Sequence, residues 1–144
     1  MLIILHINYL IIKNYDSKKF ASFEEEEFFA FARERPNIKN SKSGRIIEWP
    51  HNDLYYIDDA LNNTPLIILN GTEPHFKWKT FSKEVIDLCV SMNVSSVVTL
   101  GALLDSIPHT RGVKTQITGQ HEFMPEEYTQ KKISQSKYEG PTGI

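Results

Sequence analysis

Two hydrophobic rhythms alternate along this chain, and the change from one to the other marks its elements. Pro65-Leu66-Ile67-Ile68-Leu69-Asn70-Gly71 is an unbroken apolar run closed by glycine, the pattern of a strand buried on both faces and central in its sheet. From Phe81 the period lengthens. Phe81, Val85, Leu88, Cys89 and Met92 recur at i, i+4, i+7, i+8 and i+11, which builds one face of an amphipathic helix with Thr80 as its N-cap. Ser95 to Leu100 is the next β-branched run, so 66–100 spells strand, helix, strand: a βαβ unit with parallel strands.

The flanking patterns are shorter. Lys19 to Phe23 reads as a strand, Glu24 to Glu27 as a solvated acidic turn, and Phe28 to Arg33 as an aromatic strand stopped by Pro36. Asn40 to Gly44 is a polar turn cluster, and Arg45 to Pro50 reads as the returning strand of a hairpin. Leu54 to Asp58 is a further short strand. The apolar stretch Met1 to Ile12 has no preceding positive charge and no small-residue cleavage site, and it falls short of the roughly 18 apolar residues of a membrane span. It is expected to be a helix or strand packed in a core. Val113 to Thr118 alternates like a half-exposed strand, and a helix is expected from Pro125 to Ile133. Together these elements predict a single α/β domain over residues 1–144 with a mixed sheet.

Composition narrows the function classes. A net charge of -2 provides no basic footprint for nucleic acid. One cysteine, Cys89, excludes an intrachain disulfide or a cysteine zinc site and points to a cytoplasmic setting. Its place on the apolar helix face marks it as a small buried hydrophobe. No metal site is expected.

Candidate chemistry gathers on two loops that leave the carboxyl ends of the parallel strands. Gly71-Thr72-Glu73-Pro74-His75 and Gly101 to Arg111 are expected on the same sheet edge, where open α/β folds bind ligands. Arg111 has the fork that matches phosphate or carboxylate, with His75, Gly101 and Thr110 lining the same anion site. His109 or His75 would serve as acid or base, supported by Asp105 or Glu73. A solvent-facing loop in which Arg111 pairs with Asp105 accounts for the same residues. No phosphate-loop, dinucleotide, zincin or hydrolase signature is present. Phe76, Trp78 and Phe81 form an aromatic cluster that either covers the core or presents a protein-binding surface.

Several ordered blocks carry a family likeness: Phe28-Phe29-Ala30-Phe31 with Arg35-Pro36, Arg45-Ile46-Ile47-Glu48-Trp49-Pro50, Gly71 through Phe81, Thr99 through Arg111, and Tyr138-Glu139-Gly140-Pro141-Thr142-Gly143-Ile144. In these the chain resembles the proteasome assembly chaperone 2 family in its bacterial and archaeal form. The resemblance implies a three-layer α/β/α sandwich with a mixed, mostly parallel sheet, similar to the nucleoside phosphorylase fold. It implies an assembly-chaperone-like role with a protein partner, either a second copy in a homo-oligomer or proteasome-related subunits, and no membrane partner. Bacterial members are often labelled ATP-grasp or carboxylate-amine ligase proteins, which makes an ATP-dependent or nucleotide-binding enzyme the alternative.

The chain departs from the family pattern in three places. The expected opening strand and its glycine, tryptophan and Asp-Ala-Gly loop are not found, and Met1 stands inside what reads as the following helix. The family also continues beyond the Gly140 to Ile144 motif, so a fragment is expected, incomplete at both ends of the fold and lacking one wall of the crevice. Gly112 stands where the family has proline. Open sheet edges in such a fragment are expected to drive association.

Overall fold

The computed structural model describes residues 2–5, 8–61, 64–101, 106 and 108–112. In chain order it contains β1 (Leu2–Leu5), α1 (Asn8–Asn14), β2 (Lys18–Ser22), α2 (Glu25–Phe28), β3 (Asn37–Ser41), β4 (Gly44–Glu48), β5 (Asn52–Leu61), β6 (Thr64–Gly71), α3 (Trp78–Ser91) and β7 (Val97–Leu100). The chain divides into two compact units, Met1–Gly101 and Ala102–Gly143, and all of these elements lie in the first.

Five strands form one open sheet in the order β2-β5-β6-β1-β7, and β3 pairs with β4 in a separate hairpin. β1 runs parallel to both β6 and β7, while β5 is antiparallel to β6 and to β2. Among the described residues the sheet is therefore evenly mixed rather than mostly parallel. β6 occupies the middle position, as its apolar run requires.

Alternation along β6 divides the core. Leu66 and Ile68 join Ile57 and Ala60 on one face, where Ile11 and Ile12 of α1 pack against them. Ile67 and Leu69 join Leu54 and Phe28 on the other, under Phe81 and Val85 of α3. A strand clothed by a helix on each face has no polar side, which explains the continuous apolar spelling of 66–69.

α3 starts earlier than the sequence predicts. Lys77, not Thr80, is the N-cap, in the left-handed region at φ 52° and ψ 37° with no side-chain cap. The first helical bond follows from it, since the Phe81 N–H donates to the Lys77 carbonyl at 2.9 Å. At the far end Asn93 adopts φ 52°, and Val94 N–H bonds to Cys89 O at 2.8 Å while Asn93 N–H bonds to Val90 O at 3.1 Å. This double closure with asparagine at the left-handed position is a Schellman ending.

Three readings near the amino terminus are corrected. Leu2–Leu5 is not helical: it is a strand that fills the slot between β6 and β7. Phe28 to Arg33 is not a strand. Phe28 and Phe29 are buried in succession, which strand alternation forbids on a half-exposed sheet. Phe28 packs edge-on against Phe23 and Phe81, with ring centroids 5.9 and 5.3 Å apart, and Arg33 and Glu34 N–H groups close a turn on the Ala30 carbonyl. The acidic run supplies one helical turn rather than a simple turn, carboxylates suiting its amino-terminal end. The hairpin partner of β4 is accordingly β3, whose polar spelling Asn-Ile-Lys-Asn-Ser hid it; Ile38 pairs with Ile47 and Ser41 with Gly44. Gly44, at φ 121°, takes a backbone conformation only glycine adopts freely. The expected elements at 113–118 and 125–133 lie outside the described residues.

Candidate functional site

An irregularity in an outer strand builds the most densely bonded polar group of the described residues. Along β2, Lys19 pairs with Tyr55 and Ala21 already pairs with Leu54, so Phe20 is an extra residue in the ladder. Residues three apart normally face opposite sides of a strand. Here the bulge turns Lys19 and Ser22 to the same side, opposite Tyr55 and Asp53. Ser22 Oγ donates to Asp53 Oδ1 at 2.7 Å, and Lys19 Nζ lies 2.7 Å from the same oxygen. Tyr55 OH donates to Oδ2 at 3.4 Å, and His51 Nε2 stands 3.4 Å from that oxygen.

Asp53 is buried, so its charge has left water and depends on these partners. The effect is reciprocal. The hydrogen bond to Asp53 holds the Lys19 ammonium above the ordinary lysine range. Burial, and secondarily the Asp53 charge, push the Tyr55 phenol up.

Beside this group lies an open cleft of about 290 Å³ at the carboxyl end of β6. The antiparallel register that sets Asn52 against Gly71 brings the approach to β5, including Trp49 and His51, alongside Gly71 and Thr72. Gly71 is required for this approach: a Cβ there would fall 1.8 Å from Asn52 Oδ1 and 2.5 Å from the His51 carbonyl. The His51 ring is fixed by Asp53 on one nitrogen and by the Trp49 carbonyl, 2.8 Å from Nδ1, on the other. Trp49 itself rests edge-on against Phe31 at 4.8 Å. Asn52 Nδ2 is buried without a hydrogen-bond partner.

The loop after β6 is pinned by main-chain bonds. His75 and Phe76 N–H groups both donate to the Phe28 carbonyl, at 2.8 and 3.1 Å. Ala30 N–H donates to His75 Nδ1 at 3.4 Å, and the ring meets Phe29 at a centroid distance of 6.1 Å. An Nδ1 that accepts leaves the neutral imidazole's proton on Nε2. His75 is thus a tether between loops.

The residues expected to carry function are distributed as follows. Glu73 is exposed on the pinned loop. Phe76 and Trp78 are 50% and 38% exposed, whereas Phe81 is 3% exposed and belongs to the core, which corrects its place in an interaction surface. A residue on the inward face of α3 cannot reach a partner without unfolding the helix. Gly101 is exposed at the end of β7. His109, Thr110 and Arg111 are exposed in the second unit, in a turn closed by Arg111 N–H on the Pro108 carbonyl at 2.9 Å. Asp105 lies outside the described residues. Cys89 is half-buried, and burial pushes its thiol up.

Sequence reasoning missed Lys19, Ser22, His51, Asp53 and Tyr55. The one signal that could have found them is the polar pair Asn52-Asp53 standing directly before the apolar run Leu54 to Ile57. Among the described residues no cluster has three metal-ligating side chains, and no helix is long and apolar enough to cross a membrane.

Fold and site together define a mixed α/β protein with an open sheet, a hydrogen-bonded buried carboxylate and a cleft at the end of its central strand. The PAC2 family model matches residues 6–144, and the chain belongs to the PAC2 family. A PAC2 family protein from Streptomyces avermitilis MA superposes with a TM-score of 0.76 at 27% identity, over 99% of this chain and 65% of that one. A proteasome-assembly chaperone homologue from Mycobacterium tuberculosis gives 0.73 at 22%, again over 99% and 65%. A protein of unknown function from Corynebacterium glutamicum ATCC 13032 gives 0.66 at 25%, over 76% and 46%. The chain therefore spans 65% of the length of the first two relatives. No curated protein matches it significantly. These relatives carry no ATP-grasp or carboxylate-amine ligase name, so that part of the resemblance is without support.

Proposed function

We propose that this chain is a protein-interaction module with an assembly-chaperone-like role, contacting its partner through Phe76 and Trp78. The observation that carries this reading is the exposure of two large aromatic side chains on a rigid mount. Phe76 is tied by its own N–H to Phe28, and Lys77 between them bonds Glu27 at 3.2 Å. Aromatic residues held outward at low entropic cost are the usual anchors of protein interfaces. Membership of the PAC2 family, with a proteasome-assembly chaperone homologue among the similar structures, supports the same direction. The partner in this reading is a second copy or a proteasome-related subunit, met in the cytoplasm. In this reading the fold is a three-layer α/β/α sandwich of the nucleoside phosphorylase kind, which helices on both faces of β6 support.

Sedimentation velocity of the chain, alone and with proteasome α subunits, tests this. Association that disappears in the Phe76→Ser, Trp78→Ser double variant, with unchanged circular dichroism, supports the reading. Association with neither, or association indifferent to the double substitution, sinks it.

A second reading, a nucleotide- or nucleoside-binding enzyme, is favoured by one observation: Arg111 is exposed and makes no ion pair among the described residues. In it Arg111 and Thr110 hold the anion of a ligand such as ATP, and His109 and Asp105 serve proton transfer. A thermal shift with ATP that Arg111→Ala abolishes would support it; no shift would remove it.

A further inference from the structure

The cleft at the carboxyl end of β6 contains a set of side chains that neither reading uses. The ionisable side chains on its wall differ in whether they already have a partner. Glu48 is bonded to Lys39 across the hairpin, and the His51 ring is held between Asp53 and the Trp49 carbonyl. Glu34 and Arg35 remain. Both line the cleft, and neither forms an ion pair among the described residues, not even with the other. Adjacent in sequence yet unpaired, they present one carboxylate and one guanidinium to the same space. The exposed indole of Trp49 lies on the same wall.

We propose that this cleft binds a free α-amino acid with an apolar or aromatic side chain. One negative and one positive group, each without an ion-pair partner among the described residues, complement the ammonium and carboxylate of a zwitterion. A simple anion or cation would satisfy one of them and be repelled by the other. The side chain lies against Trp49, whose orientation Phe31 already sets. The volume, about 290 Å³, suits a ligand at the small end of the range for such sites. The location follows a general rule for open α/β sheets, in which ligands sit beyond the carboxyl ends of strands. The walls are preorganised, because His51 and Gly71 are fixed by the Asp53 group and the β5–β6 register, so little ordering opposes binding.

The protein has two tryptophans, so Trp78→Phe leaves Trp49 as the only indole reporter. Titration of this variant with L-phenylalanine, 3-phenylpropionate and phenylethylamine, by fluorescence and calorimetry, compares the zwitterion with each half of its charge. The expected result is saturable binding of phenylalanine at millimolar concentration or below, with each analogue weaker by roughly ten-fold. Arg35→Ala and Glu34→Gln should each weaken phenylalanine by a similar factor. Neither side chain makes a hydrogen bond or ion pair among the described residues, so the fold should survive both substitutions. No saturable binding of phenylalanine, or equal affinity for all three probes, overturns the proposal. Neither outcome bears on partner association through Phe76 and Trp78, which is read by sedimentation.

Discussion

Lys19 Nζ lies 2.7 Å from Asp53 Oδ1, and the extra residue Phe20 is what turns it there. A regular β2 would face Lys19 and Ser22 in opposite directions, leaving the buried carboxylate with one of the two. Asp53→Asn is expected to lower stability by about 1–3 kcal/mol in urea denaturation, because the Ser22 bond becomes a neutral one and the Lys19 ammonium loses its counter-charge. Lys19→Met should cost less, about 1 kcal/mol, since Lys19 is half-exposed and Ser22 and Tyr55 still serve the carboxylate. An Asp53→Asn variant as stable as the parent would show that the group contributes nothing net.

The same contacts predict an alkaline limit. Lys19 is raised by its hydrogen bond to Asp53, and Tyr55 is raised chiefly by burial, so both hold their protons more tightly folded than unfolded. Once pH exceeds the unfolded values, the unfolded chain has released protons that the fold retains, and the free energy of unfolding falls. The contribution is fully present below about pH 10 and is lost as pH rises through the folded values. Solvent screening of Lys19 keeps the slope modest. Thermal melts across that range should decline more shallowly in the Lys19→Met, Tyr55→Phe double variant; identical slopes would refute the linkage.

Gly71→Ala should be among the most damaging small substitutions. Its Cβ would meet Asn52 Cα at 2.7 Å as well as the His51 carbonyl, and backbone cannot move aside without breaking the β5–β6 register. A loss of about 1–3 kcal/mol or more is expected. Gly101→Ala is the control, with nothing among the described residues within 4 Å of the added atom, and should stay within about 0.5 kcal/mol of the parent.

Phe81 and Phe76 should separate stability from binding. Phe81→Ala removes a ring that touches both Phe23 and Phe28, and should cost about 3–5 kcal/mol. Phe76→Ala should leave chemical denaturation within about 0.5 kcal/mol. A large loss from Phe76→Ala would make that side chain structural.

Where burial on both faces or on one helix face dictated spelling, the sequence was readable: β6 and the Phe81 stripe of α3 stand where their apolar periods put them. Ambiguity entered where one composition serves two geometries. The aromatic run at Phe28 reads as a strand by propensity, yet its rings serve a core cluster beside a helical turn. β3 went unseen because an exposed hairpin strand needs no apolar alternation. The Asp53 group could not be read at all, since a bulge is a matter of register, and nothing in Lys-Lys-Phe-Ala-Ser announces which residue will be the extra one. Lys77 likewise starts α3 without the polar cap that would have marked it.

The position of β1 has a bearing on the order of folding. β6, α3 and β7 are contiguous in sequence, but β6 and β7 are not neighbours: each pairs with Leu2–Leu5 instead. The local unit therefore cannot close its own ladder, and its two strands are joined only when a segment 65 positions from its β6 partners and 95 from its β7 partners arrives between them. Such closure is costly in loop entropy and rewards the chain only when complete. On a ribosome β1 is made well before either of the strands it joins, and its place in the sheet stays open until β6 has followed.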